Sequence, residues 1–125
     1  MKKSHLYKAT GAVVALMMAA FFLINCQEPH GRPAKEVMLL QSLDSMRRAI
    51  DNYTVDKQRA PQSLQELVKA GYLKTIPIDP IIKSAETWIT EMEDEPFSPK
   101  APAGIRNVLS GAKGKDSVGK AYSEY

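Results

Sequence analysis

The side chains best suited to chemistry are few, and they are badly placed for it. Both histidines, His5 and His30, and the one cysteine, Cys26, fall within the first 30 of 125 residues. No Ser-His, Cys-His or His-metal constellation can therefore form inside a globule built from the remainder. Glu91, Glu93, Asp94 and Glu95 make an acidic run that could hold a cation or a basic partner, although such runs usually end solvated loops. Paired carboxylates for glycoside hydrolysis need a cleft, and a domain of about 90 residues offers little of one. Gly111-Ala112-Lys113-Gly114-Lys115 is rich in glycine and lysine but lacks the spacing and the strand-loop-helix setting of a phosphate-binding loop. The expectation is a protein that works without catalysis.

Charge narrows the partners. The chain carries 17 Lys and Arg against 14 Asp and Glu. Lys2, Lys3 and Lys8 precede Cys26 with no acid among them, so 14 charges of each sign remain beyond it. A balanced body has no footprint for a polyphosphate, and no nucleic-acid partner is expected. A lone cysteine closes no internal disulfide, so stability must come from core burial or from partners.

The elements that would carry a function follow in order. Residues 1–10 are basic, and Gly11 to Ile24 run GAVVALMMAAFFLI without a charge. Fourteen residues rise about 21 Å as helix, short of the roughly 30 Å of a bilayer core. The reading is an export signal, cleaved or lipid-anchored, and its last residues, Leu23-Ile24-Asn25-Cys26, resemble a bacterial lipobox with Cys26 as the lipidation candidate. Asn25 stands where Gly, Ala or Ser is usual. Residues 27–34, QEPHGRPA, hold two prolines and a glycine and read as a tether.

From Lys35 to Lys57 there is no Gly or Pro, and Leu39, Leu43, Met46, Ile50 and Tyr53 recur at four, three, four and three. That spacing predicts one apolar packing face on a long helix, with Asp44 and Arg48 able to pair off it. Pro61-Gln62-Ser63-Leu64-Gln65-Glu66 reads as a capped helix start in which Ser63 accepts from the Glu66 amide and Glu66 reaches back to Ser63. Gly71 supplies a left-handed stop, and Ile76-Pro77-Ile78-Asp79-Pro80 makes a rigid connector. Thr87 to Met92 and Ile105 to Leu109 have strand composition and predict an antiparallel pair. Gly111 to Gly119 is a loop, and Tyr122 and Tyr125 could cover a sheet edge. The expected class is α+β, with residues 1–26 as signal or anchor, 27–34 as tether and 35–125 as one domain.

This order of residues resembles the periplasmic domain of the type II secretion major pseudopilin. The likeness rests on Ala49-Ile50-Asp51-Asn52-Tyr53 with Asp56-Lys57, Pro61-Gln62-Ser63-Leu64, Leu67-Val68, Ala70-Gly71-Tyr72-Leu73, Ile76-Pro77-Ile78-Asp79-Pro80, Trp88, Gly104-Ile105, Ser110-Gly111 and Tyr122-Ser123-Glu124-Tyr125. The resemblance implies a pilin-like head: a long helix packed on a short helix and a small antiparallel sheet. It also implies a non-enzymatic structural role in type II secretion or pilus-like export, other pseudopilin or secretion-system subunits as partners, a homo-oligomer, and an envelope location with the head on the extracytoplasmic side. Leu39, Leu43, Met46, Ile50 and Tyr53 would serve as packing and assembly face, and calcium would sit in the loop of Asp116 and Ser117 with Glu124.

The amino end departs from that family. Gly11 offers an alternative processing site and Pro33 a helix-bending proline, yet Leu16 stands where pseudopilins keep an acid. Cys26, Gln27, Glu28 and His30 place polar groups where an apolar helix should continue, and burying them unpaired would cost several kcal/mol. The alternative is a membrane-tethered lipoprotein that uses the head as an adaptor without polymerising.

Overall fold

The computed structural model describes residues 31–125; the stretch read as an export signal, with Gly11 and Cys26, and the first part of the stretch read as a tether lie outside them. The domain from Arg32 to Tyr125 is α+β. Helix α1 runs Ala34–Lys57, helix α2 Leu64–Lys69, strand β1 Ile89–Met92 and strand β2 Ile105–Leu109, and a single 3-10 turn, Tyr122–Glu124, ends the chain. Among the described residues no helix is long and apolar enough to cross a membrane.

The core follows from the periodicity of α1. Leu39, Leu43, Met46, Ala49, Ile50 and Tyr53 are all buried, and they cluster with Leu64 and Leu67 of α2, Leu73, Trp88, and Ile105 and Val108 of β2. Apolar residues three and four apart share one side of a helix, and burying that side is the main stabilising term. Arg47, off the apolar stripe, joins the layers by hydrogen bonds: Nε donates to Asn107 Oδ1 at 2.7 Å, a second guanidinium nitrogen donates to the Val108 carbonyl at 2.8 Å, and Asn107 Nδ2 donates on to Glu91 at 2.7 Å. Asp44 and Arg48 pair at 2.9 Å in solvent, where such a contact contributes a few tenths of a kcal/mol.

Local signals set the ends. Helix α1 stops at Gln58, whose backbone is left-handed. At α2 the Ser63 hydroxyl accepts from the Glu66 amide at 3.2 Å, but the Glu66 carboxylate reaches back to the Gln62 amide, at 2.7 Å, rather than to Ser63. The competing donors explain the difference, because the same carboxylate also receives Tyr53 Oη and Arg59, both at 2.6 Å. Gly71, at φ +84°, closes α2: the Tyr72 amide bonds the Leu67 carbonyl at 2.9 Å and the Gly71 amide bonds Val68 at 3.1 Å.

The sheet is a two-stranded antiparallel pair, with Ile89 opposite Leu109, Thr90 opposite Val108 and a bulge between Glu91 and Met92. Two glycines let backbones meet around it. A side chain at Gly104 would strike the Ala60 and Pro61 carbonyls, and one at Gly111 would strike the carbonyl of Thr87. The connector lies against Trp88, whose indole N–H donates to the Pro77 carbonyl at 2.8 Å.

Candidate functional site

The polar cluster of greatest functional interest lies at the root of α1. Pro33 precedes the helix without a side-chain cap, and the first-turn acid, Glu36, turns its carboxylate onto the loop that follows β2. It accepts the Ser117 amide at 2.8 Å and the Ser117 hydroxyl at 2.6 Å, with the Tyr122 hydroxyl at 3.5 Å. Residues 36 and 117 are 81 apart in sequence, so the contact ties the start of the helix to the end of the chain.

Asp116 forms the other half of the cluster. One carboxylate oxygen accepts the Val118 amide at 3.0 Å and the Lys120 amide at 2.8 Å, while the other accepts the Tyr125 hydroxyl and faces the Arg32 guanidinium at 3.7 Å. Arg32 also donates to Tyr125 Oη at 2.8 Å, and Arg32 and Lys120 both stand over the Tyr125 ring. Burial pushes the Asp116 carboxyl up, but the Tyr125 hydroxyl, the Lys120 and Val118 amides and the Arg32 charge outweigh it and hold the group below its ordinary value. The hydrogen bond to Asp116, with burial, pushes the Tyr125 hydroxyl up, so it stays a donor. Gly119, at φ +86°, lets the loop turn tightly enough for Asp116 to receive both amides.

These residues do not fit calcium. A calcium ion takes six to eight oxygens at about 2.3–2.6 Å, commonly from several carboxylates. Both Asp116 oxygens already accept from protein donors, and the Ser117 hydroxyl donates to Glu36. Glu124 is exposed and is not gathered with Asp116: among the described residues no group of three or more His, Cys, Asp or Glu side chains could hold a metal. Amides, hydroxyls and one guanidinium stand where the resemblance implies a cation.

The helix face lies elsewhere. Leu39, Leu43, Met46, Ile50 and Tyr53 are at most 2 % exposed and pack within the domain, so this face is not available as an assembly surface. Of the acidic run, Glu91 bonds Asn107, Glu93 accepts the Gly104 amide at 3.1 Å, and Asp94 pairs with Arg106 at 2.7 Å; these acids serve three separate contacts and do not converge.

A second buried polar node was not foreseen from sequence. Asp79 and Ser110 are fully buried, and Ser110 Oγ donates to Asp79 at 2.5 Å while accepting the Ala112 amide at 3.1 Å. The other Asp79 oxygen receives the Ile81 amide at 2.8 Å. Through these bonds the pair joins the connector to the strand end. The only sequence signal was the aspartate held between Pro77 and Pro80.

Comparison with protein-family models, curated proteins and solved structures finds no match to this chain.

Proposed function

We propose that the chain is a non-enzymatic, pseudopilin-like structural subunit of a type II secretion or pilus-like export system, with an α+β head of pilin type held at the cell envelope by its amino-terminal segment. The observation that carries this reading is the pairing of a 24-residue helix, one face packed on a two-stranded antiparallel sheet, with a carboxy-terminal loop bonded back to the root of that helix. A rod with a rigid cap suits a part that transmits force or position, because Glu36, Ser117, Asp116, Tyr125 and Arg32 join the cap to the rod where it leaves the tether. The resemblance supplies the apparatus, and the geometry is compatible with it.

Two observations favour a second reading. The apolar face of α1 is already covered within the domain, and Cys26 directly follows an uncharged run. Both suit a lipoprotein whose head acts as an adaptor without polymerising. Mass spectrometry of the native amino terminus separates the two. Cleavage after Gly11 supports the pseudopilin route, and a diacylated Cys26 as mature first residue supports the adaptor. Deletion should block secretion of folded substrates if the chain is an export subunit; unimpaired secretion would overturn the first reading.

A further inference from the structure

Strand β1 has one neighbour and one open side. It pairs with β2, and no other helix or strand of the described domain touches it. No backbone hydrogen bond among the described residues links Ile89, Thr90, Glu91 or Met92 to anything beyond that ladder. Along the outer edge alternate N–H and C=O groups are therefore left for solvent or for another strand. Folded proteins usually blunt such an edge with lysine or proline; β1 has neither, and Ile89 and Met92 are about half exposed.

Charge selects the occupant. From Ser84 to Pro99 the chain has five acids, Glu86, Glu91, Glu93, Asp94 and Glu95, and no lysine or arginine. Arg106 pairs with Asp94, whereas the donors that meet Glu91 and Glu93 are neutral, the Asn107 side-chain amide and the Gly104 backbone amide. A second copy of β1 would set these acids against themselves, and like charges opposite one another destabilise a strand pair.

We propose that the outer edge of β1 is a docking strand for an extended, lysine- or arginine-bearing segment of a partner protein, which adds to the sheet as a third strand. Main-chain hydrogen bonds supply the attachment, and the acids beside the edge select for basic side chains. The inference does not depend on the export reading.

The test uses the full chain in detergent and a labelled acetylated heptapeptide of alternating lysine and valine. Fluorescence anisotropy should show saturable binding, and hydrogen exchange should slow at Ile89 to Met92. Glu91→Gln with Glu95→Gln keeps a side chain able to accept from Asn107 and should weaken binding about twofold to fivefold per charge removed. A glutamate-valine peptide, or one N-methylated at alternate amides, should not bind. Absence of binding, protection mapped elsewhere, or equal binding of the acidic peptide would overturn the proposal. So would slow exchange at β1 that depends on protein concentration without peptide, because the occupant would then be a second copy.

Discussion

Glu66 offers a sharp test of how the helices are joined. Its carboxylate receives Arg59 at 2.6 Å, Tyr53 Oη at 2.6 Å and the Gln62 amide at 2.7 Å. The hydrogen bond from Arg59 is the largest cause, with Tyr53 and Gln62 adding to it against burial, and together they lower the pKa from 4.5 to about 2. At about 1.4 kcal/mol per unit the shift corresponds to roughly 3 kcal/mol before screening. The Glu66 side chain is 25 % exposed and Arg59 36 %, so a realistic contribution is about 1–2 kcal/mol. A folded value below the unfolded one gives stability that is complete above about pH 4.5 and is lost as pH falls through about 2. Glu66→Gln should therefore be less stable than wild type by about 1–2 kcal/mol at pH 7, about 4–16 °C in Tm for a domain of this size. The gap should narrow steadily between pH 4.5 and 2. Urea denaturation of both proteins across that range measures it. A variant as stable as wild type at pH 7, or a gap constant down to pH 2, would refute the reasoning.

Other perturbations have equally definite outcomes. Excess chelator should leave the melting curve unchanged and added calcium should not raise it, whereas Asp116→Asn should lower Tm at neutral pH. The loss should fade on acidification, because a depressed carboxyl stabilises only while ionised; a fall in Tm with chelator would contradict the donor cage. Leu43→Ala removes a side chain 1 % exposed and should cost about 2–5 kcal/mol in chemical denaturation, with a surface-like loss of under about 0.5 kcal/mol counting against the packing described. Gly111→Ala drives a methyl into the Thr87 carbonyl and should destabilise by about 1–3 kcal/mol, and a neutral result would mean that the strands do not approach as they do here.

The regular parts of the fold were legible because each carries a local code. The 4-3-4-3 spacing of Leu39 to Tyr53 marks one side of a helix, Ser63 and Gly71 bracket the next, and β-branched residues with a flanking Pro-Gly stretch outline the strands. Contacts distant in sequence had no such code. Nothing in the local sequence of Arg47 or Glu36 specifies the partners the fold brings to them, Asn107 and the Val108 carbonyl for the one and Ser117, 81 positions away, for the other. The setting of Asp116 was hidden for the same reason: the resemblance implies a calcium ligand there, and only the fold reveals that Tyr125, Arg32 and two amides reach its carboxylate. Asp79 could be seen as a turn residue, but its burial against Ser110 depends on where the connector crosses the strand end.

The subunit reading predicts that copies lie side by side along α1 in the envelope, through residues other than the buried seam. Single cysteines at Ser45 and Asn52, both exposed on α1, test this in intact cells. The account predicts a ladder of crosslinked multimers that disappears when the protein is dispersed in detergent before oxidation. Monomer alone at every exposed α1 position, in cells that make and export the protein, would contradict it.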